Sequence, residues 1–110
     1  MANQKTREQT IIFTQMVAKK QGWVLNPDTA FYNSLVDGLT QNYNRYGYYH
    51  CPCRDSEGSR ELDAPAICPC VWSKEDILQY GHCYCALYLS KEFAASGKEP
   101  QAIPDRRFKK

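Results

Sequence analysis

The sequence predicts a mostly α fold: a small helical domain that carries irregular loops rich in cysteine. Three observations favour it. The first half of the chain has two segments with helical spacing of apolar residues, each bounded by start and stop signals. All six cysteines fall within residues 51–85, where only short elements are predicted. The length of 110 residues suits one domain with one modest core.

The first predicted helix begins at Thr6, because Thr6 to Gln9 fits a capping box in which the Gln9 side chain returns to the Thr6 backbone. Gly22 is a typical stop signal and ends it. Helical spacing predicts that its inner face consists of four apolar residues, namely Ile12, Phe13, Met16 and Val17.

The second predicted helix begins at Asn26-Pro27, with Pro27 in the first turn, where its missing N–H costs little. It ends within residues 44–47. Its predicted inner face holds Phe31, Leu35 and Leu39, flanked by Tyr32 and Val36. For both helices we interpret these residues as scaffold for the core.

A third helix is predicted to start at Ser73 and to stop at Gly81. Residues 54–64 are polar and acidic and predict a loop or a short helix. The apolar residues 86–89 fit either a strand or a buried helical turn. From Gly97 onward we expect a tail that packs loosely on the surface.

We therefore expect a single domain over residues 1–110, divided into a helical scaffold (1–48), a cysteine segment (49–89) and a C-terminal tail (90–110). The net charge of +2 lacks the basic excess of a dedicated nucleic-acid binder. No apolar run approaches the roughly 20 residues of a membrane helix, and the start of the chain lacks the apolar block of a signal peptide. A cytoplasmic protein that binds neither nucleic acid nor a membrane is the expectation.

The six cysteines form three pairs of the type C-x-C: Cys51 with Cys53, Cys68 with Cys70, and Cys83 with Cys85. Structural zinc sites prefer wider C-x2-4-C spacing, and a reducing compartment disfavours structural disulfides. A four-iron cluster takes four thiolates, which would leave two cysteines for a redox disulfide. From the residues alone, four thiolates on zinc with one disulfide, or three disulfides, also stay open.

Four stretches of this sequence resemble the catalytic chain of ferredoxin–thioredoxin reductase. Three contain the cysteine pairs, at residues 49–54, 67–70 and 81–85, and the first two pairs read Cys-Pro-Cys. The fourth lies near the end, at residues 103–107. The resemblance covers most of the chain, and it implies a helical domain wrapped around a [4Fe–4S] cluster.

The resemblance also implies roles for each cysteine. The cluster ligands would be Cys51, Cys68, Cys70 and Cys83. The redox-active disulfide would join Cys53, the exposed nucleophile, to Cys85, which is held beside the cluster. Arg54 could then favour the Cys53 thiolate. The implied activity passes electrons from ferredoxin through the cluster to this disulfide, which reduces thioredoxin by thiol–disulfide exchange. A variable-chain partner is a further implication.

Two features depart from the plant and cyanobacterial pattern, and the first, the changed loop lengths, indicates a bacterial or archaeal relative. The loop of 14 residues between Cys53 and Cys68 is shorter than theirs, and the loop of 12 residues between Cys70 and Cys83 is longer. Tyr84 stands where the family has a histidine that handles protons. His82 is a candidate for part of that role, and the alternative is a histidine that only forms hydrogen bonds within its loop.

Two other functions remain as alternatives to this interpretation. The first is a reductase, fed by ferredoxin or rubredoxin, of another protein or of a small-molecule disulfide. The second belongs to a different class and is an interaction domain stabilised by zinc.

Overall fold

The chain is mainly α-helical, as the sequence predicts. The structure, a computed structural model, describes residues 4–53 and 56–104, so Arg54 and residues 105–110 of the predicted tail lie outside the described residues. Within the described ranges there are five α-helices: α1 (Arg7–Gln21), α2 (Thr29–Tyr46), α3 (Arg60–Asp63), α4 (Ser73–Tyr80) and α5 (Lys91–Ser96). A 3₁₀ turn, Ala64–Ala66, continues α3.

Helix α1 has the predicted ends, and half of its predicted inner face is confirmed, because Phe13 and Val17 pack against the core. Thr6 and Gln9 form both hydrogen bonds of the capping box, and Gly22 ends the helix in the left-handed conformation. Ile12 and Met16 are 54% and 66% exposed. The fully buried residues of α1 are instead Thr10, Thr14 and Ala18. All three side chains are small enough for close helix packing. The two threonine hydroxyls have hydrogen-bond partners, since Thr10 Oγ1 lies 3.1 Å from Tyr49 Oη and Thr14 Oγ1 lies 2.6 Å from Tyr32 Oη.

Helix α2 starts two residues later than predicted. Asp28 is the N-cap and accepts a hydrogen bond from the Phe31 N–H, so Pro27 precedes the helix. Asn26 does not cap the helix. It is buried, and its side chain donates a hydrogen bond to the Ala86 carbonyl at 2.9 Å. The predicted core residues Leu35, Val36 and Leu39 are buried, but Phe31 is 40% exposed.

Helix α4 ends at Gly81 as predicted, and that glycine is required for two reasons. Its φ of +88° is left-handed, and a Cβ there would overlap the ring of Phe93 in α5. Helix α5 was not predicted, and it begins at Ser90, which accepts a hydrogen bond from the Phe93 N–H. Ser73 is the first residue of α4 and not its cap.

Two short strands connect the start of the chain to its cysteine segment. Strand β1 (Val24–Leu25) pairs antiparallel with β2 (Tyr88–Leu89), with Val24 opposite Leu89. The core beside them draws on both halves of the chain and includes Leu35, Leu39, Ile77, Leu87 and Tyr88 together with buried cysteines. Among the described helices, none has the length and hydropathy to cross a bilayer. The division of the chain near residues 48 and 89 stays a prediction.

A buried carboxylate organises the loop before α3. Asp63, 1% exposed, accepts hydrogen bonds from the hydroxyls of Tyr48 and Ser56 at 2.6 Å and from the Glu57 N–H at 2.8 Å. Its Oδ1 lies 3.7 Å from His50 Nε2. Burial raises the pKa of Asp63, but the hydrogen bonds from Ser56, Tyr48 and Glu57 outweigh it and lower the pKa below its usual 3.8.

Because the pKa of Asp63 is lower in the folded than in the unfolded chain, its charge stabilises the fold above about pH 3.8, and this contribution is lost as the pH falls through the folded value. Asp63→Asn should lower the free energy of unfolding at pH 7 by about 1–3 kcal/mol, since three donors lose their carboxylate acceptor. Because the variant has no carboxyl group at this position to protonate, its free energy of unfolding should also decrease less steeply as the pH is lowered. Urea unfolding from pH 3 to pH 7 measures both effects. The control is Glu61→Gln, an exposed acid on α3, and equal acid slopes in the two variants would contradict this role of Asp63.

Candidate functional site

Five of the six cysteines surround one small cavity. They are all at least nine-tenths buried: Cys51, Cys68, Cys70, Cys83 and Cys85. The sixth, Cys53, is exposed. Pro69, Ser73, Tyr84 and Tyr88 complete the cavity wall. The structure therefore brings together the four cysteines predicted as cluster ligands and one of the two predicted as redox thiols.

Backbone hydrogen bonds tie the first two cysteine pairs together. The Cys51 N–H donates to the Ala66 carbonyl at 2.9 Å, and the Cys68 N–H donates to the Tyr49 carbonyl at 2.7 Å. Both bonds flank the antiparallel bridge between His50 and Ile67. Since each bond starts at a cysteine, this bridge fixes the spacing between the two pairs at their backbones.

The second pair lies against the start of α4. The Ser73 N–H donates to the Cys70 carbonyl at 3.0 Å, and Ser73 Oγ lies 3.2 Å from Cys70 Sγ. On the other side, Cys68 Sγ lies 3.6 Å from Tyr88 Oη, and the Cys68–Pro69 peptide is cis. Both sulfurs therefore have a hydroxyl neighbour within the protein.

The third pair sits in a tight turn. The Ala86 N–H donates to the Cys83 carbonyl at 2.9 Å, and Ala86 has a left-handed φ of +61°. This turn places Cys83 Sγ 3.9 Å from Cys85 Sγ, while the Tyr88 N–H points at Cys83 Sγ at 3.5 Å. The buried Asn26 side chain holds the turn through the Ala86 carbonyl.

The thiols of Cys83 and Cys85 differ sharply in acidity. Hydrogen bonding from the Cys85 thiol, helped by the Tyr88 N–H, lowers the pKa of Cys83 despite its burial. Hydrogen bonds with Cys51, Cys53 and Cys83, together with burial, raise the pKa of Cys85 well above its usual value. Within this pair, Cys83 is the favoured thiolate and Cys85 the favoured thiol.

Cys85 is also the link between the buried cysteines and the exposed one. Its thiol interacts with that of Cys53 as well as with that of Cys51. Cys51 lines the cavity whereas Cys53 faces solvent, so the first pair is split between the interior and the surface. Cys85 therefore connects the thiols of the cavity with the thiol at the protein surface.

Two histidines hold the backbone at equivalent places. His50 and His82 are each buried, and in each the Nδ1 atom donates to the carbonyl of the following cysteine at 2.8 Å. His82 Nε2 in addition accepts a hydrogen bond from the Gln101 N–H at 3.3 Å. Both ring nitrogens of His82 thus have backbone partners, which favours a role in orienting the Cys83 loop. Its predicted part in proton handling stays a prediction.

Tyr84 and Tyr88 are the aromatic residues of the cavity wall. Tyr84, the middle residue of the third pair, is half-buried. Tyr88 is fully buried beside Trp23, with ring centroids 5.5 Å apart. Burial, followed by the neighbouring Cys68, raises the pKa of Tyr88 strongly, so its hydroxyl stays protonated and available as a donor to sulfur.

Several residues of the site carry no motif in the sequence. Asn26 and Asp63 are polar residues in ordinary turn-like stretches, and only the fold shows that they are buried. For the two buried histidines the sequence did hold a signal, because His50 and His82 both directly precede the first cysteine of a pair.

In the part of the chain that the structure describes, no three side chains of His, Cys, Asp or Glu close on a single point as they would around one metal ion.

Comparison with known proteins finds one matching family and two related catalytic chains. A family model described as the ferredoxin thioredoxin reductase catalytic beta chain matches residues 1–110. The ferredoxin-thioredoxin reductase catalytic chain of Porphyra purpurea is 30% identical over 82 residues, which are 73% of this chain and 66% of the relative. The chloroplastic catalytic chain of Arabidopsis thaliana is 26% identical over 95 residues, 84% of this chain and 62% of the relative.

The matches span slightly less than two thirds of the length of these two curated relatives. The family model, in contrast, matches this chain from end to end. This protein belongs to the ferredoxin thioredoxin reductase catalytic beta chain family.

Proposed function

We propose that this protein is an iron–sulfur disulfide reductase. It takes electrons from ferredoxin through a [4Fe–4S] cluster and passes them to a Cys53–Cys85 disulfide, which reduces thioredoxin. The observation that carries the proposal is the arrangement of the sulfurs: five buried cysteines surround one cavity, and Cys85 among them also interacts with the exposed Cys53.

The residues present fit the cofactor in number and chemistry. Four thiolates are the ligand set of a four-iron cluster, and Cys51, Cys68, Cys70 and Cys83 are all buried and line the same cavity. Burial raises the pKa of the Cys68 thiol strongly, which is a cost that binding a positively charged group would remove. When bound, the cluster supplies single electrons beside the disulfide.

The exposed Cys53 is the thiol that can meet another protein. Its thiolate attacks one sulfur of the target disulfide, forms a mixed disulfide, and displaces the second target sulfur as a thiolate. Cys85 then attacks the Cys53 sulfur, restores the Cys53–Cys85 disulfide, and releases the target as a dithiol. The order follows from burial, because Cys85 is 7% exposed and cannot meet a partner directly.

The acidity of the buried thiols suits this sequence of steps. The pKa of Cys85 is raised, so Cys85 stays protonated while Cys53 reacts, and the mixed disulfide is not resolved too early. The pKa of Cys83 is lowered, as expected for a residue that serves as a metal ligand. The two thiols of one C-x-C pair thereby take different roles.

The proposed partners follow the family. Ferredoxin is the electron donor, thioredoxin or a thioredoxin-like protein is the acceptor, and a variable chain is a further proposed partner. We also propose a cytoplasmic location. Residues 51–90 carry three Lys or Arg against six Asp or Glu, so the two ends of the chain hold the basic surplus. An acidic partner would therefore meet the terminal segments more favourably.

A trapping experiment tests the roles of the two redox cysteines. The reduced Cys85→Ser variant is mixed with a thioredoxin whose resolving cysteine is replaced and whose attacking cysteine is activated as a thionitrobenzoate disulfide. We expect a persistent adduct of one chain with one thioredoxin, since Cys53 attacks and no Cys85 resolves the product. Non-reducing electrophoresis and intact mass measure the adduct.

The matched control is Cys53→Ser, which keeps Cys85 and should form no adduct. In the wild type the adduct should be transient, because Cys85 is present to resolve it. An equal yield of adduct from Cys53→Ser would show that another thiol is the nucleophile and would overturn the assignment.

Selective alkylation gives a second test. With limiting iodoacetamide at pH 7, the reduced protein should be modified first at Cys53, since the other five cysteines are buried and the pKa values of Cys68 and Cys85 are raised. Peptide mapping by mass spectrometry locates the label. A label found mainly on Cys68 or Cys85 would contradict the exposure of Cys53 in solution.

A further inference from the structure

Gly38 is an unusual residue for the middle of α2. A glycine inside a helix destabilises that helix relative to alanine, because it loses more backbone freedom on folding. The reason for this one lies across the helix surface: a Cβ at residue 38 would be 2.9 Å from the Cβ of Pro52 and 3.7 Å from its Cγ. Real Cβ atoms essentially never approach so closely, so the proline ring packs directly on the helix backbone.

Pro52 lies between Cys51, which lines the cavity, and the exposed Cys53. Its ring is closed onto the backbone, and its Cβ cannot rotate away as the end of a long side chain could. A group that pushes on Pro52 Cβ therefore moves the backbone of both neighbouring cysteines. The contact with Gly38 sets how closely this pair approaches the helix.

A second contact holds the same segment one turn further along α2. Asn42 lies four residues after Gly38, so the two share a helix face. The Asn42 side chain donates a hydrogen bond to the His50 carbonyl at 2.9 Å. The contacts of Gly38 with Pro52 and of Asn42 with His50 lie on either side of Cys51, and together they hold residues 50–52 against α2.

We propose that Gly38, supported by Asn42, is a positioning residue that sets the separation between the thiols of Cys53 and Cys85. This proposal rests on the proposed function, because it assigns to α2 the control of the disulfide on which that function depends. A smaller or larger separation changes the effective concentration of one thiol at the other and therefore the stability of their disulfide.

The test is Gly38→Ala in the intact protein, equilibrated anaerobically with defined ratios of reduced and oxidised glutathione. Oxidised glutathione takes two electrons and two protons from Cys53 and Cys85, so that one disulfide and two glutathione thiols form. Acid quenching, alkylation and mass spectrometry give the oxidised fraction. We expect the equilibrium constant for the disulfide to fall about tenfold, a potential about 30 mV more positive.

The matched control is Ser34→Ala, one turn earlier on α2. It also replaces a residue of lower helix propensity by alanine, and Ser34 is exposed, with its hydroxyl bonded to the Phe31 carbonyl of its own helix. Its disulfide constant should equal that of the wild type. An unchanged constant in Gly38→Ala would overturn the proposal, and so would an equal change in both variants.

A double-mutant cycle with Pro52→Gly separates this contact from general damage to the fold. Pro52→Gly removes the Cβ that an alanine at residue 38 would meet, so the effect of Gly38→Ala should vanish in that background. If Gly38→Ala alone fails to fold, recovery of folding in the double variant supports the proposal. Failure of the double variant, when Pro52→Gly alone folds, overturns it.

The glutathione assay uses neither ferredoxin nor thioredoxin, so it distinguishes the two proposals. If the wild type forms the Cys53–Cys85 disulfide but Gly38→Ala leaves its equilibrium constant unchanged, only the role of Gly38 fails. If the wild type forms no such disulfide, the proposed function fails together with this inference.

Discussion

The structure depends on holding five thiols from three separate segments around one cavity. Those segments have little regular structure of their own, so backbone hydrogen bonds at the cysteines fix their positions. The Cys51 and Cys68 N–H groups bond to Ala66 and Tyr49, and the Cys83 N–H donates to the Tyr88 carbonyl at 3.1 Å. The helices supply what these short segments lack, namely a rigid surface on which each can be seated.

The same arrangement gives similar cysteine pairs different chemistry. Cys51 and Cys53 are separated by burial, because only Cys53 reaches solvent. Cys83 and Cys85 are both buried and are separated by acidity, because the Cys85 thiol donates to the Cys83 sulfur. A redox disulfide between Cys53 and Cys85 would thus join the exposed member of one pair to the protonated member of another, which is the division of roles that disulfide exchange requires.

Features written in a few neighbouring residues could be predicted from the sequence, and features that join distant residues could not. The capping box at Thr6 and the stop at Gly81 depend on local chemistry, and both are confirmed. The exposure of Ile12 could not be foreseen, because it depends on which partner α1 packs against. The contact of Gly38 with Pro52 spans 14 residues, and no local pattern reports it. For the site, the family resemblance implied an exposed Cys53 and a Cys85 held beside the four proposed ligands, but the backbone hydrogen bonds that position each cysteine join distant residues and could not be predicted.

The central claim is that four cysteines of this cavity hold a four-iron cluster while Cys53 stays free of it. The most direct measurement is the iron, acid-labile sulfide and zinc content per chain after anaerobic purification. We predict about four iron and four sulfide per chain and no zinc. Cys53→Ser should keep this content, and Cys68→Ala should lose it. Zinc without iron, or equal loss of iron in both variants, would contradict the claim.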